Sequence, residues 1–217
     1  MNPGMKLLLV VLIALEISFT QSLIVNVILI AISFVYVMVK RMNFKTLFLL
    51  IFWPLFPALG LFVSQWLYGS DGIHFAWVLF TRIYAYVFLG ATFTLTSSIT
   101  DLALTLEQDF RLPSKFAYGV LAAFNLMPKI REEVQIIKTS ALMRGEVFHV
   151  WSPKLYFKAI LSSIQWSQNL AEAMTSHGFV EDEPRTHYRV IRITVLDWAM
   201  FAFLIIAVQV MLFFIRY

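Results

Sequence analysis

Two basic residues, Arg144 and His177, each stand directly before a glycine and lie 33 positions apart. The first closes the run Ala141-Leu142-Met143-Arg144-Gly145-Glu146, the second the run Ala173-Met174-Thr175-Ser176-His177-Gly178-Phe179. Upstream of each, apolar residues recur at helical spacing, and glycine stands where the residue after a helix end often takes a positive φ. The plain reading of a cation at such an end is a helix-dipole partner, worth roughly 0.3–1 kcal/mol. The sharper reading is that two matched basic tips on one polar segment are built to grip a partner. Arginine suits that task through its planar fork of five donors; histidine has no such fork, and its reference pKa near 6.5 makes its charge depend on pH.

Two helices must carry these tips. Pro128 is placed to open the first, as proline does at a first helical position. Ile130, Val134, Ile137 and Ala141 then mark one face, with Lys129, Glu132, Glu133 and Lys138 elsewhere. Ser152-Pro153 starts the second, serine at the N-cap and proline at N1. Its apolar face is Leu155, Ala159, Trp166, Leu170 and Met174, while Lys158, Gln165, Gln168, Asn169 and Glu172 lie on others. At 1.5 Å per residue the two are expected to run on the order of 25 and 40 Å.

The rest of the chain belongs in a bilayer. Of its 217 residues 60% are hydrophobic and 14% charged, against about 45–50% and about 25% in soluble domains. The apolar residues gather in runs near the roughly 20 residues that a spanning helix needs. The expected fold class is an all-α integral membrane protein with about five transmembrane helices plus long amphipathic cytoplasmic helices. Residues 1–217 are expected to form a single membrane domain, with four spans in 5–98, the tip-bearing stretch in 99–194 and a final span in 195–215. The spans read as Met5–Phe19, Ser22–Val39, Leu47–Leu67, Phe75–Ser98 and Val195–Ile215; Pro54, Pro57 and Gly60 predict a kink in the third. Thr20-Gln21 and the base-free Tyr68–His74 are turns, and the apolar N-terminal run is read as a retained span rather than a cleaved signal.

Charge sidedness orients this map. With the N-terminus in the cytoplasm, 15 of the 17 Lys and Arg fall in cytoplasmic segments, Arg82 and Arg216 excepted. That bias is the positive-inside signature and puts the C-terminus outside. The net charge of +4 is therefore a topology signal, and no nucleic-acid partner is expected. Glu16 and Arg82, near or within spans, are read as snorkelling close to the outer interface rather than as functional ions. Asp197 is read as an interfacial helix start.

Catalytic signatures are missing. The sequence has no G-x-x-x-x-G-K-[ST], no H-E-x-x-H and no G-x-S-x-G. It has no cysteine, and its four histidines, His74, His149, His177 and His187, share no ligand-spaced face. No enzyme activity, cofactor or metal site is expected.

With those features in place the chain resembles the T component, the transmembrane scaffold of energy-coupling factor transporters. The resemblance rests on an ordered set: Pro3-x-x-Lys6 before a leucine run, Leu112-Pro113 and Pro128 ahead of the first tip, Arg144-Gly145, Ala173 to Phe179, and Arg185-Thr186 followed by Asp197. It implies a non-catalytic permease subunit in the cytoplasmic membrane, serving uptake of a vitamin, a vitamin precursor or a metal ion. It also implies two ABC-type ATPase subunits on the coupling-helix tips and a small membrane substrate-binding S component packed against the same helices from the lipid side. Met143, Arg144 and Gly145 would enter one ATPase; Ser176, His177 and Gly178 would enter the other. The pattern usually has arginine where His177 stands. The alternative is an autonomous secondary transporter or channel, which would predict intramembrane charge pairs and an inverted repeat; neither is evident.

Overall fold

The computed structural model describes residues 1–39, 44–69, 72–149, 151–180, 183 and 189–214, which form helices without strands. The chain divides into two compact units, Met1–Thr105 with Ile191–Tyr217, and Leu106–Val190. The division falls within one short helix, α6 (Ile99–Gln108).

The first unit holds α1 (Pro3–Phe19), α2 (Leu23–Val39), α3 (Phe44–Phe52), α4 (Leu55–Tyr68), α5 (Gly72–Thr96) and α9 (Val195–Phe214). Helix α5 is its hub and packs against α1, α2, α3 and α4. Ala76 and Ala85 are fully buried along it and let neighbours approach closely. The core is built from Leu9, Ile13 and Ile17 on α1, Val25 and Leu29 on α2, Leu89 on α5 and Val208 on α9. Their four-residue spacing on α1 and α2 marks one face. The opposite faces expose Val11, Leu15, Ile32, Val35, Phe203 and Ile206, as helices surrounded by lipid do.

Five spans are expected from the sequence. Among the described residues three helical segments are long and apolar enough to cross a membrane: Lys45–Tyr68, Gly72–Thr96 and Val195–Phe214. Helices α1 and α2 have 17 residues each, the lower edge of the range of about 17–25 that spans occupy. The kink expected in the third span is a break between α3 and α4 at Trp53-Pro54. There the Tyr84 hydroxyl donates to the Ile51 carbonyl at 3.0 Å and supplies a donor where the helical ladder is interrupted.

Polar side chains fasten this unit at its helix ends. Lys6 on α1 donates to the carbonyl and hydroxyl oxygens of Thr96, the last residue of α5, at 3.2 and 3.3 Å. Arg82 on α5 donates to the carbonyl of Thr20, the cap residue of α1. Each helix of the pair thus supplies the cation for the other's carbonyl end. Glu16 accepts from Gln209 Nε2 on α9 at 2.7 Å. Glu16 and Arg82, expected to snorkel near the outer interface, thus each bond to a neighbouring element of the unit. Thr194 and Asp197 form a reciprocal capping box at the start of α9, with Asp197 also 3.4 Å from the Met1 α-amino group.

The second unit is a helical hairpin of α7 (Ser114–Met143) and α8 (Pro153–Ser176). Pro128 does not open a helix, as its position suggests, but lies inside α7. The apolar run 116–127 and the amphipathic run after it merge into 30 residues, about 45 Å of continuous helix. Ser152 is the N-cap of α8 and Pro153 its first residue, although the serine side chain makes no capping bond. The expected apolar faces meet: Ile137 and Ala141 pack with Leu155 and the loop residue Phe148, flanked by Val134 and Ala159.

Lys6→Met is expected to lower the unfolding free energy of the detergent-solubilised chain by about 1.5–3 kcal/mol, the worth of a hydrogen bond to a charged group. Lys6→Arg should restore most of it. A melting temperature unchanged in Lys6→Met would show that the α1–α5 contact is not structural.

Candidate functional site

Both tips end in the same backbone motif. At the first, Arg144 is the cap residue with φ −96° and ψ 6°, and Gly145 takes φ +77°. The Gly145 N–H donates to the Leu142 carbonyl at 3.0 Å and the Glu146 N–H to the Ala141 carbonyl at 2.9 Å. At the second, His177 is the cap with φ −84° and ψ 10°, and Gly178 takes φ +80°. The Gly178 N–H donates to Thr175 at 3.0 Å and the Phe179 N–H to Met174 at 2.9 Å. These are two copies of the Schellman turn, with the same bonds at the same offsets. A Cβ added at Gly145 or Gly178 would meet no atom within 4 Å. Glycine is required there by its positive φ alone, which costs other residues roughly 1–2 kcal/mol.

This motif decides what the basic side chains can do. The last carbonyls are satisfied by backbone N–H groups, so neither Arg144 nor His177 has to fold back as a cap. Both side chains are exposed. Among the described residues neither forms an ion pair or a side-chain hydrogen bond. Beside them Met143 is 83% exposed. Ser176 is exposed too, its hydroxyl donating to the Ala173 carbonyl at 2.8 Å.

The tips lie at opposite ends of the hairpin. The Ser162 hydroxyl donates to Glu133 Oε1 at 3.0 Å, and the Phe179 ring meets Tyr118 edge-on with centroids 6.2 Å apart. Those pairs make α7 and α8 antiparallel, so Arg144 sits at the hairpin turn and His177 beside the first half of α7. The 24 residues of α8 put about 36 Å of helix between the tips.

Their surroundings differ. The first tip is followed by a folded loop in which Phe148 is buried and Lys158 Nζ lies 5.0 Å over its ring. Lys154 and Glu146 pair at 3.6 Å, exposed and of little energetic weight. The second tip opens on a groove of about 950 Å³ between α7 and α8, bordered by His177, Met174, Tyr118, Asn125 and Lys129. No local pattern marks this groove, because it arises from the antiparallel pairing of residues some 50 positions apart.

Other residues singled out in the sequence are placed as follows. Pro3 begins α1, Leu112-Pro113 precede α7, and Asp197 is buried in its capping box. Arg185 and Thr186 lie outside the described residues, as do Lys40, Arg41, Asp71, His187, Ile215 and Arg216. Among the described residues no group of three or more His, Asp or Glu could hold a metal ion.

Comparison with known proteins gives a consistent picture. The chain matches the family described as cobalt transport protein, CbiQ, over residues 1–188. It is 28% identical over 149 residues to the energy-coupling factor transporter transmembrane protein EcfT of Leuconostoc gelidum subsp. gasicomitatum, an alignment covering 62% of this chain and 56% of that protein. It is also 26% identical over 141 residues to the uncharacterized protein MG302 of Mycoplasma genitalium, covering 58% of this chain and 44% of the relative. The chain thus spans about half the length of these curated relatives.

Gly145→Ala and Gly178→Ala should each destabilise the chain by about 1–2 kcal/mol, since each forces a side chain into the left-handed region. Gly119→Ala, inside α7 with open space around it, should be neutral or stabilising by up to about 1 kcal/mol. Thermal unfolding of the three variants checks the set. Equal midpoints for all three would contradict the turn geometry.

Proposed function

We propose a function from the premise that the chain belongs to the CbiQ family of cobalt transport proteins: it is the membrane coupling subunit of an ATP-driven importer. It carries no ATP-binding loop of its own, so the work is done by two ABC-type ATPase subunits, one on each tip. Met143, Arg144 and Gly145 form one contact; Ser176, His177 and Gly178 form the other. A small membrane S component binds the substrate and packs against the coupling helices. The substrate is a vitamin, a vitamin precursor or a metal ion, chosen by that partner.

The observation that carries this reading is the pair of identical Schellman turns holding two exposed, unpaired basic side chains at opposite ends of one hairpin. A purely structural cation would fold onto its own helix end. These do not, and their separation suits two neighbouring subunits rather than one. Closure of the ATPases would move the two ends of the hairpin, and α7 and α8 would carry that motion as stiff levers. Exposed apolar residues on α8, Phe157, Ile160 and Ile164, supply a face for the substrate-binding subunit. The charge bias of the sequence places the N-terminus in the cytoplasm and, with five crossings, the C-terminus outside. The protein itself is a non-catalytic permease subunit, multi-pass in the cytoplasmic membrane.

Arg144→Glu is expected to abolish uptake and release the ATPases while membrane insertion stays normal. Losing one partner of a buried charge pair costs about 2–5 kcal/mol, and reversal costs more. His177→Arg should be tolerated or tighten ATPase binding. Uptake at the wild-type rate in Arg144→Glu, measured alongside ATPase co-purification, would sink the assignment.

A further inference from the structure

Helix α7 has 30 residues, yet it is not among the segments apolar enough to cross a membrane. Its first half is nevertheless apolar along one side. Phe116, Val120, Phe124 and Met127 follow one another at helical spacing and share a face. They are exposed by 55, 45, 46 and 47%. The groove toward α8 is bordered instead by Tyr118, Ala122 and Asn125, about half a turn round the helix. The stripe therefore looks away from α8, and the hairpin does not cover it.

Charge is sorted along the same segment. From residue 114 to residue 131 the charged side chains are Lys115, Lys129 and Arg131, all cations, and the first acid is Glu132. Lys115 Nζ lies 5.5 Å from the centroid of the Phe116 ring, which puts an ammonium at one end of the stripe. Arg131 follows Met127 by one helical turn on the same face and is exposed. The stripe is thus bracketed by cations. From Phe116 to Met127 it runs about 17 Å, too short for the roughly 20 residues that a span needs. A row of large apolar side chains with basic ends and no acid is the face that a helix lying in the plane of a membrane interface presents.

We propose that this face of α7 docks on the headgroup layer of the bilayer. The four apolar side chains enter the boundary between headgroups and acyl chains, and Lys115 and Arg131 pair with the phosphates of anionic lipids. Lipid is the occupant because the charge of the segment complements anionic headgroups, and because the chain already carries helices fit to cross the same bilayer. The inference rests on that membrane setting and not on the ATPase contacts. It adds a second hold on the hairpin, along a helix face that neither tip uses.

The test uses the full chain in nanodiscs of phosphatidylcholine, alone or mixed with phosphatidylglycerol. The native sequence has no cysteine, so a fluorophore can be attached through Val120→Cys or Phe124→Cys on the stripe, and through Asn125→Cys on the groove side. Lipid carrying a nitroxide at the top of its acyl chain should quench the two stripe probes, more strongly when phosphatidylglycerol is present. Aqueous iodide should quench the Asn125→Cys probe instead. Arg131→Gln should lower the docking equilibrium in the mixed discs by roughly fivefold, the factor for one cation beside an anionic surface. Stripe probes as open to iodide as the groove probe would overturn the inference. Lipid quenching indifferent to both phosphatidylglycerol and Arg131→Gln would overturn it too. So would lipid quenching that vanishes once the co-purifying membrane subunit is bound, because the face would then belong to that protein. None of these results bears on Arg144→Glu, whose effect on uptake tests the coupling function separately.

Discussion

The last carbonyls of every helix need donors, and the source of those donors differs between the two units of this protein. In the lipid-facing unit side chains supply some of them. Lys6 serves the end of α5, and Arg82 serves the end of α1. In the hairpin unit backbone turns at Gly145 and Gly178 do the same work. The consequence is chemical. Where a basic side chain is used as a cap it is bound and silent; where glycine closes the ladder the neighbouring basic residue is left free. Arg144 and His177 are free because Gly145 and Gly178 can adopt a positive φ.

The hairpin turns that local freedom into spacing. A cluster of Ile137, Ala141, Phe148 and Leu155 ties the turn end, and the Tyr118–Phe179 contact ties the other. Between them α7 runs unbroken through Pro128, which removes one backbone donor without ending the helix. Two stiff helices therefore hold two matched tips at a set distance. The proposed coupling function needs that property more than any single side chain: a motion applied at one end has to arrive at the other.

Much of this was legible before any coordinates. The tips could be read from a basic residue followed by glycine after helical spacing, and the break in the third span from Pro54 and Pro57. The faces of α7 and α8 followed from four-residue periodicity. Other features depend on tertiary pairing, which a single sequence does not encode visibly. Pro128 looked like a helix start because proline favours N1, yet helical residues on both sides outweighed the lost bond. Lys6 and Arg82 looked like topology and interface charges, since nothing local says that Thr96 and Thr20 lie beside them. The number of crossings is set by more than length, because α1 and α2, with 17 residues each, stop where spanning and merely buried helices overlap.

The absence of cysteine in the native sequence makes one measurement direct. Cysteine placed at Met143, at Ser176, or at both, can carry a photo-crosslinker in the assembled transporter, with products weighed by mass spectrometry. The account predicts one ATPase subunit attached through each single site and two attached through the double. Crosslinks from either site that reach only lipid or only another membrane protein would contradict it.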